Sequence, residues 1–297
     1  MRILFVTSSR IGDAVLSTGL LDHLIRSYPD SRITVATGPA AEGVFTRMPN
    51  LERLILMDKQ PLGRHWLALW AASVGTVWDL VVDIRASALS YLVATRRRAV
   101  MRKRPGHKTE QLAAILKLAP PPLPVAWTAP EDRARAAALL PPGPPFIALG
   151  PTANWDGKVW PADRFVELYR QLASGPLAGA RAVVLAGPGE QERALAAPVL
   201  AALPDALDLC GALTLPEAAA VLARARLFIG NDSGLMHLAA AAGAPTLGLF
   251  GPTPAGEYAP AGRCTAVAVA RGPAMTDLAV ADALAAAMRL VALARAA

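Results

Sequence analysis

Short runs of β-branched and bulky apolar residues alternate with longer segments of helical periodicity, and the alternation occurs twice along the 297 residues. In the first half, Arg2–Thr7 (RILFVT), Arg32–Thr37, Arg53–Met57 and Asp79–Ile84 read as strands. Asp13–Tyr28 carries Val15, Leu16, Leu20, Leu21, Leu24 and Ile25 at helical spacing and stops at Pro29. Two proline clusters then interrupt the pattern, Pro120–Pro124 and Pro141–Pro145, neither compatible with a helix interior or a central strand. A short helix is expected between them, over Glu131–Leu140. The alternation restarts with strands at Phe146–Gly150, Arg181–Ala186, Leu227–Gly230, Pro245–Leu249 and Thr265–Val269. Helices are expected over Ala162–Leu172, Gln191–Leu203 and Gly234–Ala242, with a last one from about Asp277. Strand–helix–strand order argues for parallel sheets covered on both faces. The expected architecture is therefore α/β with two doubly wound domains, 1–145 and 146–297, facing each other across a cleft. The final helix is placed in the second domain, with the option of packing back on the first. In such sheets ligands bind at the carboxyl ends of the strands.

Hydrophobic residues make up 54% of the chain, and the mean hydropathy of +0.35 raises the question of a membrane span. Trp66–Trp78 is uncharged but short of the ~18–20 residues a spanning helix needs. The longer apolar stretch Leu235–Gly256 contains three prolines and four glycines, which a lipid-facing helix could not accommodate. The start, MRILFVTSSR, has no small-residue cleavage site, so the expectation is a cytoplasmic protein. Two cysteines, Cys210 and Cys264, cannot build a disulfide framework or a four-ligand zinc site.

The net charge of +7 has one local origin. Seven cations and no acid lie between Arg96 and Lys108; without them basic and acidic residues balance at 23 each. The segment reads either as a solvated helix face or as a surface for an acidic ligand. It lacks interleaved aromatics and any recognition module, which argues against nucleic acid as a partner.

Several chemistries lose ground by their missing motifs. There is no G-x-G-x-x-G, since Glu192 stands where the third glycine of Gly187-Pro188-Gly189 would fall. Gly157-Lys158-Val159 lacks the remainder of a phosphate-binding P-loop, and no G-x-S-x-G elbow occurs. No D-x-D pair is present, and the four histidines are dispersed, so no metal site is expected.

Three constellations remain. Ser9-Arg10-Ile11-Gly12-Asp13 follows the first strand, and Asp13 reads either as a helix cap or as a carboxylate available as a general base. In Gly230-Asn231-Asp232-Ser233-Gly234-Leu235-Met236-His237 a strand turns into a helix whose free N–H groups suit a diphosphate. His237 lies one helical turn past Ser233, and Asp232 suits N–H groups or a ribose hydroxyl better than a phosphate. The loop Gly150–Pro161 carries Asn154 and Lys158, and the lysine reads either as solvated or as a cation for a leaving phosphate.

The set IGDAVLSTGLL, ANWDGKVWP and GNDSGLMHLAAAAGAPTLGLFGPT, in that order, resembles glycosyltransferase family 9, the heptosyltransferases that build the lipopolysaccharide inner core. The resemblance implies a GT-B fold of two Rossmann-like domains and inversion at the anomeric carbon without metal or other cofactor. It also implies an ADP-heptose donor held by the second domain. Asp13 matches the family's general base and Lys158 its phosphate-binding lysine. Asn154, Asp232, Ser233, Gly234, Leu235 and His237 match the donor-binding set, and Glu192 in GPGEQE the acid on the donor ribose. Gly19 stands where the family often has proline, and Thr152-Ala153-Asn154 where many members carry Gly-Ala-Ser. Arg10, Arg85 and Arg104 are the acceptor-binding candidates. The expected acceptor is lipopolysaccharide core or lipid A, reached from the cytoplasmic face of the inner membrane, with the basic segment meeting acceptor or membrane. Another GT-B enzyme, such as a nucleotide-sugar epimerase, and a non-catalytic nucleotide-sugar-binding protein are the alternative readings.

Overall fold

The computed structural model describes residues 1–296, which divide into two compact units, the first Met1–Trp127 and the second beginning at Thr128. The first holds five parallel strands, β1 (Arg2–Val6), β2 (Arg32–Thr37), β3 (Leu51–Leu56), β4 (Trp78–Asp83) and β5 (Thr95–Val100), in the order β3-β2-β1-β4-β5. Its helices are α1 (Ile11–Ser27), α2 (Arg64–Ser73), α3 (Leu89–Leu92) and α4 (Lys108–Ala113). β1 is central, and Ile3–Val6 are wholly buried. Side chains alternate across a strand. Leu4 and Val6 thus enter the cluster formed with Leu69 of α2 and Leu89 of α3, and Ile3 and Phe5 take the opposite face.

Gly19 lies inside α1, where glycine costs helix stability. The reason is a close approach: a Cβ there would sit 2.6 Å from the Pro122 carbonyl oxygen. The proline-rich stretch runs along α1, held also by the Val125 N–H donating to Thr18 Oγ1 at 2.8 Å.

The second unit is a six-stranded parallel sheet of β6 (Phe146–Gly150), β7 (Arg181–Val184), β8 (Leu207–Asp208), β9 (Leu227–Asn231), β10 (Thr246–Phe250) and β11 (Thr265–Val269). Its order is β11-β10-β9-β6-β7-β8. Its helices are α5 (Pro130–Leu139), α6 (Ala162–Ser174), α7 (Glu190–Ala202), α8 (Leu215–Leu222), α9 (Gly234–Ala241), α10 (Ala255–Tyr258) and α11 (Val280–Ala296). On α6, Phe165, Leu168 and Leu172 recur on one face and are fully buried. Each contributes roughly 1.5–3 kcal/mol by burial.

The parallel strands and the helices flanking them follow the expected α/β plan, with two differences. The division falls before α5 rather than at Pro141–Pro145, because α5 packs on α8. The Arg224 guanidinium, just past α8, donates to the carbonyls of Ala136 (2.7 Å) and Leu140 (2.6 Å). The last helix is no departure, packing in the second unit where it was placed: Ala283, Ala286, Ala287, Leu290 and Val291 belong to the core cluster with Leu168 and Leu249. The basic run is no helix face. Arg96–Arg98 lie on the edge strand β5, the next three cations in the loop after it, and Lys108 opens α4; exposed charges on an edge strand discourage pairing with another chain. The short β8 and α8 had no counterpart in the expected pattern. No described helix is long and apolar enough to cross a membrane.

Candidate functional site

Both sheets are all parallel, so the loops that follow their strands gather at one edge of each, and the order of strands reverses next to β1 in the first unit and between β6 and β9 in the second. All the residues singled out from sequence lie at these two edges.

In the second unit, β6 leads into the loop that carries Lys158, and β9 leads into Asp232. The Lys158 ammonium donates to Asp232 Oδ2 at 2.7 Å, and the two side chains are only 20% and 8% exposed. The lysine is therefore neither solvated nor free to wander. It keeps two of its three N–H donors beyond the one given to Asp232. Asp232, in turn, is no helix cap. The cap position of α9 is Ser233, which makes no side-chain capping bond. His237, buried one turn on, holds its Nε2 at 4.0 Å from Asp232 Oδ1. Gly234 and Leu235 form the first turn of α9, where backbone N–H groups lack intrahelical partners.

Two residues outside the sequence candidates shape this site. Asn231, wholly buried at the end of β9, accepts the Trp160 N–H on Oδ1 at 3.1 Å and so pins the lysine loop to the strand. Trp160 is itself fully buried, with its indole N–H on the Leu278 carbonyl at 3.0 Å and its ring edge-on to Phe165 at 5.2 Å. Trp160→Ala should cost ~3–5 kcal/mol of stability, read as a lowered urea midpoint, and should loosen the loop that carries Lys158. Around the cluster, Asn231 Nδ2, Ser233 Oγ and, after β10, Thr253 Oγ1 are buried without a hydrogen-bond partner among the described residues. Buried polar atoms are normally paired, so orphans grouped at strand ends mark a place where a polar ligand can supply the partner.

Asn154 is exposed in the lysine loop. Glu192 stands over the end of the neighbouring β7, its Oε2 accepting the Gly187 N–H at 3.3 Å. Next to it Arg193 pairs with Asp208 at 2.8 Å. Burial, aided by Asp208, pushes the Cys210 thiol up to about 12, and burial raises Cys264 as well. Such thiols are poor nucleophiles.

In the first unit, Asp13 lies in the first turn of α1 and is not its cap, which is Arg10. The Ser8 hydroxyl, at the end of β1, donates to Asp13 Oδ2 at 3.4 Å and accepts the Arg10 N–H at 3.2 Å. The Thr37 hydroxyl holds the Ser8 carbonyl at 2.7 Å. Gly38 lets the β2 loop come this close: a Cβ there would meet Ser9 Cβ at 2.3 Å. Asp13 is half-buried, on a backbone fixed from three directions, with only one long side-chain bond. That suits a carboxylate that must take up a proton from a ligand.

Arg85 and Arg104 follow β4 and β5 at this same edge, and all three arginine candidates are exposed. The loop carrying Arg85 is built on Asp83, wholly buried at the end of β4. Its carboxylate accepts from the N–H groups of Arg85 and Ser87 at 2.9 Å each and from the Ser87 hydroxyl at 2.6 Å. Asp83→Ala would leave three donors without their acceptor and should release the Arg85 loop.

The model of glycosyltransferase family 9 (heptosyltransferase) matches residues 85–287. Lipooligosaccharide heptosyltransferase 2 of Haemophilus influenzae is 26% identical over 303 residues, covering 88% of this chain and 86% of that protein. The glycosyl transferase family 9 structure from Veillonella parvula superposes with a TM-score of 0.83 at 20% identity, over 98% of this chain and 97% of that one. The E. coli heptosyltransferase WaaC with ADP-2-deoxy-2-fluoro heptose gives 0.74 at 20% identity, over 99% of both chains. With most of its length inside the family pattern and both sheets in the same fold, the chain belongs to glycosyltransferase family 9, the heptosyltransferases.

Proposed function

We propose that this glycosyltransferase moves heptose from ADP-heptose to an inner-core sugar of lipopolysaccharide, with inversion and without a metal. The observation that carries the donor half is the cluster at the start of α9: a nearly buried lysine held by Asp232, a helix N-terminus, and three buried polar atoms awaiting partners. Its chemistry matches a diphosphate joined to a polyol. ADP as the nucleotide is supported by the related structure that holds an ADP-heptose analogue. A lipopolysaccharide or lipooligosaccharide acceptor is supported by the names of the curated relatives.

An acceptor hydroxyl is a weak nucleophile. In this reading Asp13 removes its proton while the oxygen attacks the anomeric carbon from the face opposite ADP. The new C–O bond forms as the bond to the β-phosphate oxygen breaks, and that electron pair leaves on ADP. The growing negative charge is met by Lys158 and the N–H groups of α9, which are already oriented before the reaction begins. Asp232 holds the lysine, Glu192 takes a ribose hydroxyl, and Arg10, Arg85 and Arg104 meet the anionic acceptor. The protein works in the cytoplasm, where the acceptor's lipid end lies in the membrane.

Charge neutralisation by Lys158 makes a divalent cation unnecessary. EDTA is therefore expected to leave the transfer rate unchanged, and a rate restored only by added Mg²⁺ would contradict this assignment. The donor class is tested by thermal shift with ADP, UDP, GDP and their sugars. ADP and ADP-heptose should raise Tm and the others should not, and the ADP shift should shrink in Lys158→Ala. A preference for a uridine nucleotide would point to an epimerase-like reading instead.

A further inference from the structure

Half of the exposed large apolar side chains among the described residues fall between residues 62 and 92. On α2, Leu67, Trp70 and Val74 recur at i, i+3 and i+7 along the outer face, while Leu69 and Ser73 of the opposite face are buried. A helix apolar on both faces expects something on each. The Trp70 indole N–H donates to the Leu92 carbonyl at 3.2 Å, which joins this stripe to α3, where Tyr91 and Leu92 are 67% and 62% exposed. Just before α2, Leu62 is fully exposed at φ +55°, a left-handed backbone that an L side chain rarely adopts.

The charged groups stacked on aromatic rings of this region are arginines. Arg85 lies over the Trp66 ring at 5.6 Å and Arg98 over Tyr91 at 5.1 Å, and Arg64 opens α2. No acidic residue occurs between Asp58 and Asp79, or between Asp83 and Glu110. Exposed apolar patches mark interaction surfaces. Tryptophan and tyrosine beside arginine are suited to the boundary of a bilayer, where the ring enters the headgroup layer and the cation meets phosphate.

We propose that the α2–α3 face docks on an anionic phospholipid bilayer, with Leu62, Leu67, Trp70, Tyr91 and Leu92 entering the headgroup layer and Arg64 and Arg98 meeting lipid phosphates. A second copy of the chain fits less well, because a two-fold interface sets each patch against itself and would face arginine with arginine. The loops that open α2 and carry Arg85 leave the same sheet edge as Asp13, so docking here would bring that edge to the membrane surface. The surface does not depend on the transfer reaction and is tested without any saccharide.

Full-length protein is sedimented with vesicles of phosphatidylcholine alone or with phosphatidylglycerol. Binding is expected only to the anionic vesicles and should weaken with salt. Leu62→Ser/Leu67→Ser should lower partitioning about tenfold, with an unchanged thermal melt because both side chains are exposed. Arg64→Glu should lower it about fivefold or more. Equal binding to neutral vesicles, no binding to either, or unaltered binding by both variants would overturn the proposal. So would a lipid-free dimer that the double leucine variant dissolves, since that would assign the face to a second copy.

Discussion

Asp13→Asn is expected to lower heptosyl transfer by ~10²–10⁴ while leaving ADP-heptose binding close to that of the wild type. The amide fills the same space, keeps an oxygen for the Ser8 hydroxyl, and leaves the first turn of α1 intact. What it loses is the capacity to accept the acceptor's proton. Asp13 belongs to a different unit from the Lys158–Asp232 cluster, so an effect on turnover without an effect on donor affinity separates base from binding residue. Steady-state rates and a calorimetric titration with ADP-heptose check both halves. Transfer at near-normal rate by the variant would remove Asp13 from the mechanism.

Lys158→Ala should act on both affinity and rate. Removing one preorganised partner of a developing anion costs ~10²–10³ in rate. Here a further penalty arises on binding, because Asp232 is left almost buried without its cation and faces the incoming diphosphate with its own charge. Donor KM should therefore rise together with the fall in kcat. Asp232→Ala introduced into Lys158→Ala should recover part of the lost affinity, which a purely additive pair would not do. If Lys158→Ala bound ADP normally and slowed transfer little, the ion pair would be only structural.

The strand–helix alternation was readable because central parallel strands are buried on both faces and so read as continuous apolar runs, as in Ile3–Val6 and Leu227–Ile229. β5 was unreadable for the opposite reason. An edge strand needs only one apolar flank, and Arg96-Arg97-Arg98 gives no alternation to detect. β8 is two residues long and carries no periodicity at all. The place of α5 was hidden too, since it depends on Arg224 reaching two carbonyls more than eighty positions away.

At the candidate site, the motifs pointed to Asp13, Lys158, Asp232 and His237, but not to how they are held. Whether Lys158 is solvated depends on Asp232, 74 positions further along the chain. Asn231 and Asp83 were missed although both leave a common trace: a polar residue closes an apolar run at the end of a strand, in FIGN and in LVVD. A polar side chain carried into the interior by such a strand must find partners, and in both cases the partners are the loop that bears a candidate site residue.

ADP release from ADP-heptose, measured with and without heptose-deficient lipopolysaccharide core, tests the proposed transfer most directly. The predicted result is release that requires the acceptor and yields a heptoside of anomeric configuration opposite to the donor's. Equal release in its absence, or a product that keeps the donor's configuration, would contradict it.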